Sequence, residues 1–154
     1  MIRPSLALLT VFLLAGCSRK PATADAATLE KQFEAMMSRA TLVGHSTSMN
    51  RDGVSGEERY AIEKVSKMSA DTWLFTARMR LGSHEVPLPI PVTMKWAGDT
   101  PVIELTDMSI PGMASYTARV VLYGDQYAGT WSGKRGDGRV FGGQLFGKIV
   151  HGKE

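Results

Sequence analysis

Eight short runs in which apolar and polar residues alternate, separated by Gly, Asp, Pro and Ser, fill most of the chain after residue 40. A side-chain period of two buries one face of each run and wets the other, which is the pattern of antiparallel strands. The runs span 41–49, 58–67, 72–81, 85–96, 101–107, 114–123, 126–133 and 139–150. Two are especially clear. Trp73, Phe75, Ala77 and Met79 alternate with Leu74, Thr76, Arg78 and Arg80; Tyr116, Ala118, Val120 and Leu122 alternate with Thr117, Arg119, Val121 and Tyr123. Links between successive runs are short, so sequence neighbours should pair as hairpins. Eight meandering strands close most readily into an up-and-down barrel. A mainly β fold of that kind is expected, with a β-sandwich as the alternative.

The links sort by end. Ser69-Ala70-Asp71, Ala97-Gly98-Asp99 and Gly124-Asp125 are tight turns carrying an aspartate, and alternate links of a meander share one end. The longer loops, Asn50 to Glu57, Gly82 to His84, Met108 to Met113 and Gly133 to Gly138, belong to the other. Before the first run, Leu29, Phe33, Met36 and Met37 recur at helical spacing, which predicts one helix over 28–38 with Thr28 as N-cap and Lys31 paired to Glu34 or Glu30. That helix enters at the tight-turn end and is placed to plug it, leaving the loop end as the mouth.

The N-terminus has different chemistry. Arg3 precedes an apolar run from Leu6 to Leu14, followed by Leu14-Ala15-Gly16-Cys17. A spanning helix needs about 20 apolar residues, so this shorter run reads as a signal peptide. Its last four residues resemble the lipobox of bacterial lipoproteins. The resemblance implies cleavage before Cys17, palmitate-type acylation of that cysteine, and a protein held to a membrane. Ser18, standing where aspartate would signal inner-membrane retention, favours the periplasmic face of the outer membrane. One acyl chain binds a membrane only marginally, whereas two or more anchor stably. The chain then divides into a signal peptide (1–16), a lipidated tether (17–27) and one β-barrel domain with its helix (28–154).

Cys17 is the only cysteine, so the domain has no thiol for a disulfide, a metal or a nucleophile. Lys and Arg are scattered among carboxylates, and no nucleic-acid footprint is expected. His45, His84 and His151 lack ligand spacing, so no metal or other cofactor is expected, and no nucleophile-elbow motif points to an enzyme.

Three local patterns stand out. Pro87, Pro89 and Pro91 alternate within one run, removing three consecutive donors from a single strand edge while Val86, Leu88, Ile90, Val92, Met94 and Trp96 face inward. That edge should border a gap in the wall, unless the segment is a polyproline-like strap. Ile62-Glu63 with Thr76-Ala77-Arg78 is echoed at constant offset by Ile103-Glu104 with Thr117-Ala118-Arg119, which sets a glutamate beside an arginine across each hairpin. Gly129-Thr130-Trp131 resembles the Gly-x-Trp signature of calycins, the lipocalin-like barrels that enclose apolar ligands, although there the motif opens the first strand and here it falls in the seventh. The glycines of Phe141 to Gly147 suit barrel bends, and Arg135-Gly136-Asp137 suits a solvated hairpin loop.

These readings lead to a lipid-anchored barrel holding a small apolar or amphipathic ligand, with Trp73, Phe75, Met79, Trp96, Tyr116 and Trp131 as the expected lining. The alternative is a structural lipoprotein that meets another envelope protein through Ile110 and Met113 in the loop Ile110-Pro111-Gly112-Met113.

Overall fold

The computed structural model describes residues 25–81, 84–109 and 114–152, with backbone alone at 79–81 and 84–86. One helix, α1 (Ala26–Met37), precedes nine strands: β1 (Ala40–Ser48), β2 (Arg51–Val54), β3 (Glu58–Ser69), β4 (Thr72–Leu81), β5 (His84–Ala97), β6 (Thr100–Ser109), β7 (Ser115–Tyr123), β8 (Gln126–Lys134) and β9 (Val140–His151). From β3 to β9 each strand pairs antiparallel with the next, and β1 lies between β3 and β9. The seam runs from Ala40↔His151 to Ser46↔Leu145. The result is a closed eight-stranded antiparallel barrel with β2 added to it.

β2 lies in the segment expected to be a loop. β3 pairs β1 only at Thr41 to Gly44, which leaves the far half of that edge open, and β2 fills it through Thr47↔Val54 and Ser48↔Arg51. The helix start also differs from expectation. Asp25, not Thr28, is the N-cap: its Oδ1 accepts the Thr28 N–H at 2.9 Å, and the Thr28 hydroxyl donates to Oδ2 at 3.1 Å. A carboxylate satisfies an unpaired helix N–H and also suits the positive end of the helix dipole. Glu30 pairs with Lys67 of β3 at 2.6 Å, tying α1 to the wall, in place of the expected pair with Lys31.

The tight turns and the helix share one end. Ala70, Gly98 and Gly124 each open a two-residue turn with positive φ (35°, 69° and 60°). The Asp71 and Asp125 carbonyls accept the Met94 and Ile149 N–H groups, joining these turns to β5 and β9. α1 closes this end with Phe33, whose ring lies 5.1 Å from Trp73, 6.0 Å from Phe75 and 6.2 Å from Trp96. Met37, Val65, Met94 and Leu122 are fully buried beside them.

The proline strand pairs fully on one side only. β5 matches β4 from Thr72↔Thr93 to Leu81↔His84, but its ladder to β6 ends at Thr93↔Glu104. Pro87, Pro89 and Pro91 are exposed while Val92 and Met94 are buried, so the segment is a strand and not a strap. β6 bulges between Leu105 and Met108, with Asp107 at φ 49°. Arg119 stitches this bulge by donating to the Leu105 carbonyl at 2.7 Å and to the Thr106 hydroxyl at 3.0 Å. The echoed pairs both form: Arg78 with Glu63, and Arg119 with Glu104 at 3.4 Å.

The glycines of β8 and β9 have a packing role. Inward positions oppose Tyr127 to Gly147, Gly129 to Leu145, Trp131 to Gly143 and Gly133 to Phe141. Large faces small at every step, which lets a narrow barrel take aromatic side chains.

Candidate functional site

The sequence-predicted lining residues fall into two groups. Trp73 (1 % exposed) and Phe75 (5 %) belong to the buried core under Phe33. Trp96 packs against the same core and also walls a shallow groove of about 210 Å³ with Leu29, Phe33, Met36 and Leu122, at the closed end. Tyr116 and Trp131 lie at the mouth, where both meet Phe141 edge-on, at 6.3 Å and 5.7 Å. Met79 has only its backbone described, and Cys17, Ile110 and Met113 lie outside the described residues.

Tyr127 divides the interior. On the helix side of its ring lie the fully buried Trp73, Met94 and Leu122. Toward the loops, the inward residues Ser46, Glu58, Ala118, Trp131, Phe141 and Leu145 are only half-buried. An open cavity of about 360 Å³ lies there, lined by Ser46, Ser48, Asn50, Arg51, Ser55, Glu58 and Trp131 among others. Its size falls in the range of small-molecule sites, roughly 300–1,000 Å³. Trp131 also walls a neighbouring recess of about 250 Å³ with Met49, Ala118 and Gly143.

Sequence reasoning missed the polar centre of this cavity. Glu58 opposes Gly44 at the start of β3 and faces inward. Its Oε1 accepts the Ser46 hydroxyl at 2.7 Å and its Oε2 accepts the Tyr60 hydroxyl at 2.6 Å. Burial raises the Glu58 pKa, but the Tyr60, Ser46 and Ser55 hydroxyls and the nearby His45 outweigh it, so the carboxyl stays below its ordinary value and ionised. Burial and the same carboxylate push the Tyr60 phenol well above its usual range. Burial and then Glu58 raise Tyr127.

The rim is held by β2 and its turn. The Ser55 hydroxyl accepts the Ser46 N–H at 2.8 Å, the Ser55 N–H donates to the Ser46 carbonyl at 2.7 Å, and His45 Nδ1 lies 3.1 Å from the Ser55 carbonyl oxygen. On the other side, Met49 N–H donates to Gly142 O at 2.7 Å and Gln144 N–H to the Thr47 hydroxyl at 2.9 Å. The Trp131 indole N–H is buried with no acceptor among the described residues.

Among the described residues no cluster of three or more His, Cys, Asp or Glu side chains can hold a metal ion, and no helix is long and apolar enough to cross a membrane. The arrangement is suited to binding: an ionised carboxylate and hydroxyls on one wall, an aromatic cluster on the other, and a closed floor. No protein-family model matches the chain, and no curated protein or solved structure matches it.

Proposed function

We propose that the protein is a lipoprotein anchored through Cys17 to the periplasmic face of the outer membrane, and that its barrel mouth binds a small amphipathic ligand. The observation that carries the binding reading is the open cavity lined by both Glu58 and Trp131 above the buried core. A site with few polar groups fixed against aromatic surface orients a ligand with one polar and one apolar end. The lining proposed here is Trp131, Tyr116 and Phe141 with Glu58, while Trp73 and Phe75 act as the packed floor. The Gly-x-Trp resemblance to calycins agrees with this reading, since Trp131 belongs to the cavity wall. Anchoring beyond the helix end would point the mouth away from the membrane.

The binding reading is tested by native mass spectrometry and organic extraction of the chain expressed from Thr23. A co-purified amphipath that is lost on changing Trp131 to alanine, with folding retained, is the expected result. A ligand-free domain that takes up no amphipath from a lipid extract would refute it. For the anchor, Cys17→Ser should leave an unlipidated, uncleaved precursor. Normal maturation of that variant would refute the lipoprotein assignment.

A further inference from the structure

We infer that the ligand taken by the mouth carries an organic ammonium group, which docks on Glu58 while its apolar part lies against Trp131. The inference rests on the binding reading above and specifies its chemistry.

The argument starts from hydrogen-bond capacity. An ionised carboxylate offers about four acceptor sites. Ser46 occupies one on Oε1, Tyr60 one on Oε2, and Ser55 stands close enough to take a third, so the carboxylate keeps capacity for a further donor. No Lys or Arg nitrogen among the described residues lies within ion-pair distance of Glu58. The neutral hydroxyls hold the carboxylate in place and ionised without neutralising it. Among the described residues no Lys or Arg neutralises this half-buried anion, which faces a cavity and so favours a cationic occupant.

The other charges near the mouth do not cancel this preference. Arg51 lines the same cavity from β2, and it pairs with Ser48, four residues along β1 from the Gly44 that opposes Glu58. Arg51 is exposed, so water and salt screen its charge. His45 alternates to the outer face of β1, beside Phe146, with Nδ1 toward the Ser55 carbonyl. Arg135 stands over the Phe141 ring, 5.4 Å from its centroid. That contact shows a cation already resting on an aromatic face of this rim, the same attraction that Trp131 offers a ligand ammonium.

The test uses three probes of equal length: 3-phenylpropylammonium, 3-phenylpropanol and 3-phenylpropionate. Each is titrated by calorimetry into the full chain in lipid nanodiscs, with empty discs subtracted. The ammonium should bind about tenfold more tightly than the alcohol, and the carboxylate most weakly. Glu58→Gln should remove the difference between ammonium and alcohol. The unmodified protein decides the matter even if that variant folds poorly. Equal affinity for ammonium and alcohol would overturn the ammonium inference and leave the binding reading standing. Binding of none of the three would overturn both.

Discussion

Tyr127 packs so closely over Gly44 that a Cβ built on residue 44 would stand 2.5 Å from the Tyr127 hydroxyl oxygen, and 2.1 Å from the Phe146 carbonyl oxygen. The ring marks the level at which the filled core ends and the open mouth begins. Gly44→Ala should therefore destabilise the barrel by at least about 2 kcal/mol, the scale of overpacking a tight interior. Urea unfolding measures this. Adding Tyr127→Phe should restore only a small part, because the backbone contact to Phe146 remains.

The plug should matter as much as the wall. Phe33 is buried and touches three aromatic rings at the closed end. Phe33→Ala is expected to cost about 3–5 kcal/mol, read as a fall in the urea midpoint with little change in far-ultraviolet strand signal.

Smaller effects are expected where α1 begins. Asp25→Ala removes the side chain that accepts the Thr28 N–H and should lower the unfolding temperature slightly. Asp25→Asn, which keeps an acceptor, should lose less. Thermal unfolding of the two variants side by side checks the order.

One turn can be improved. Ala70 has φ 35°, a conformation that favours glycine, whereas the equivalent turns use Gly98 and Gly124. Ala70→Gly should stabilise the protein by up to about 1 kcal/mol, because relief of left-handed strain exceeds the added freedom of the unfolded chain.

Glu58 gives the stability a pH dependence of known sign. Its folded-state pKa lies below the ordinary value, so its contribution is complete above the unfolded carboxyl pKa, about 4.3. The contribution is lost as the pH falls through the lower folded value. Groups facing it are the Ser46, Ser55 and Tyr60 hydroxyls, Tyr127, His45 and the more distant Arg51. The stability difference between the native chain and Glu58→Gln should be constant near neutrality and shrink below about pH 4. A difference that grew with acid would contradict the assignment.

Much of the architecture could be read from alternation and punctuation. The eight barrel strands, the shared end of the three aspartate turns, the plugging helix and the half-unpaired proline strand follow from local rules that no tertiary contact reversed. What escaped depended on single extra residues or on depth. The β3 ladder skips Glu63, passing from Ile62↔Ala77 to Lys64↔Thr76. The bulge lets Glu63 face outward beside Arg78 while both Ile62 and Val65 face inward, so no single alternation runs through β3, and Glu58 carried no pattern that marked it as the polar centre of the mouth. β2 was missed because Arg51-Asp52-Gly53-Val54 is exposed throughout and carries no burial pattern. Periodicity identifies inward residues but not their height in the barrel, so it could not separate Trp73 in the floor from Trp131 in the mouth.

The three prolines on β5 also bear on how molecules of this protein behave toward one another. An unpaired strand edge normally invites a strand from another chain, since its free N–H and C=O groups form a template for sheet growth. Along the stretch of β5 that leaves β6, Pro87, Pro89 and Pro91 remove the donors, so this part of the wall stays unpaired without offering an adhesive edge along which neighbouring molecules would polymerise.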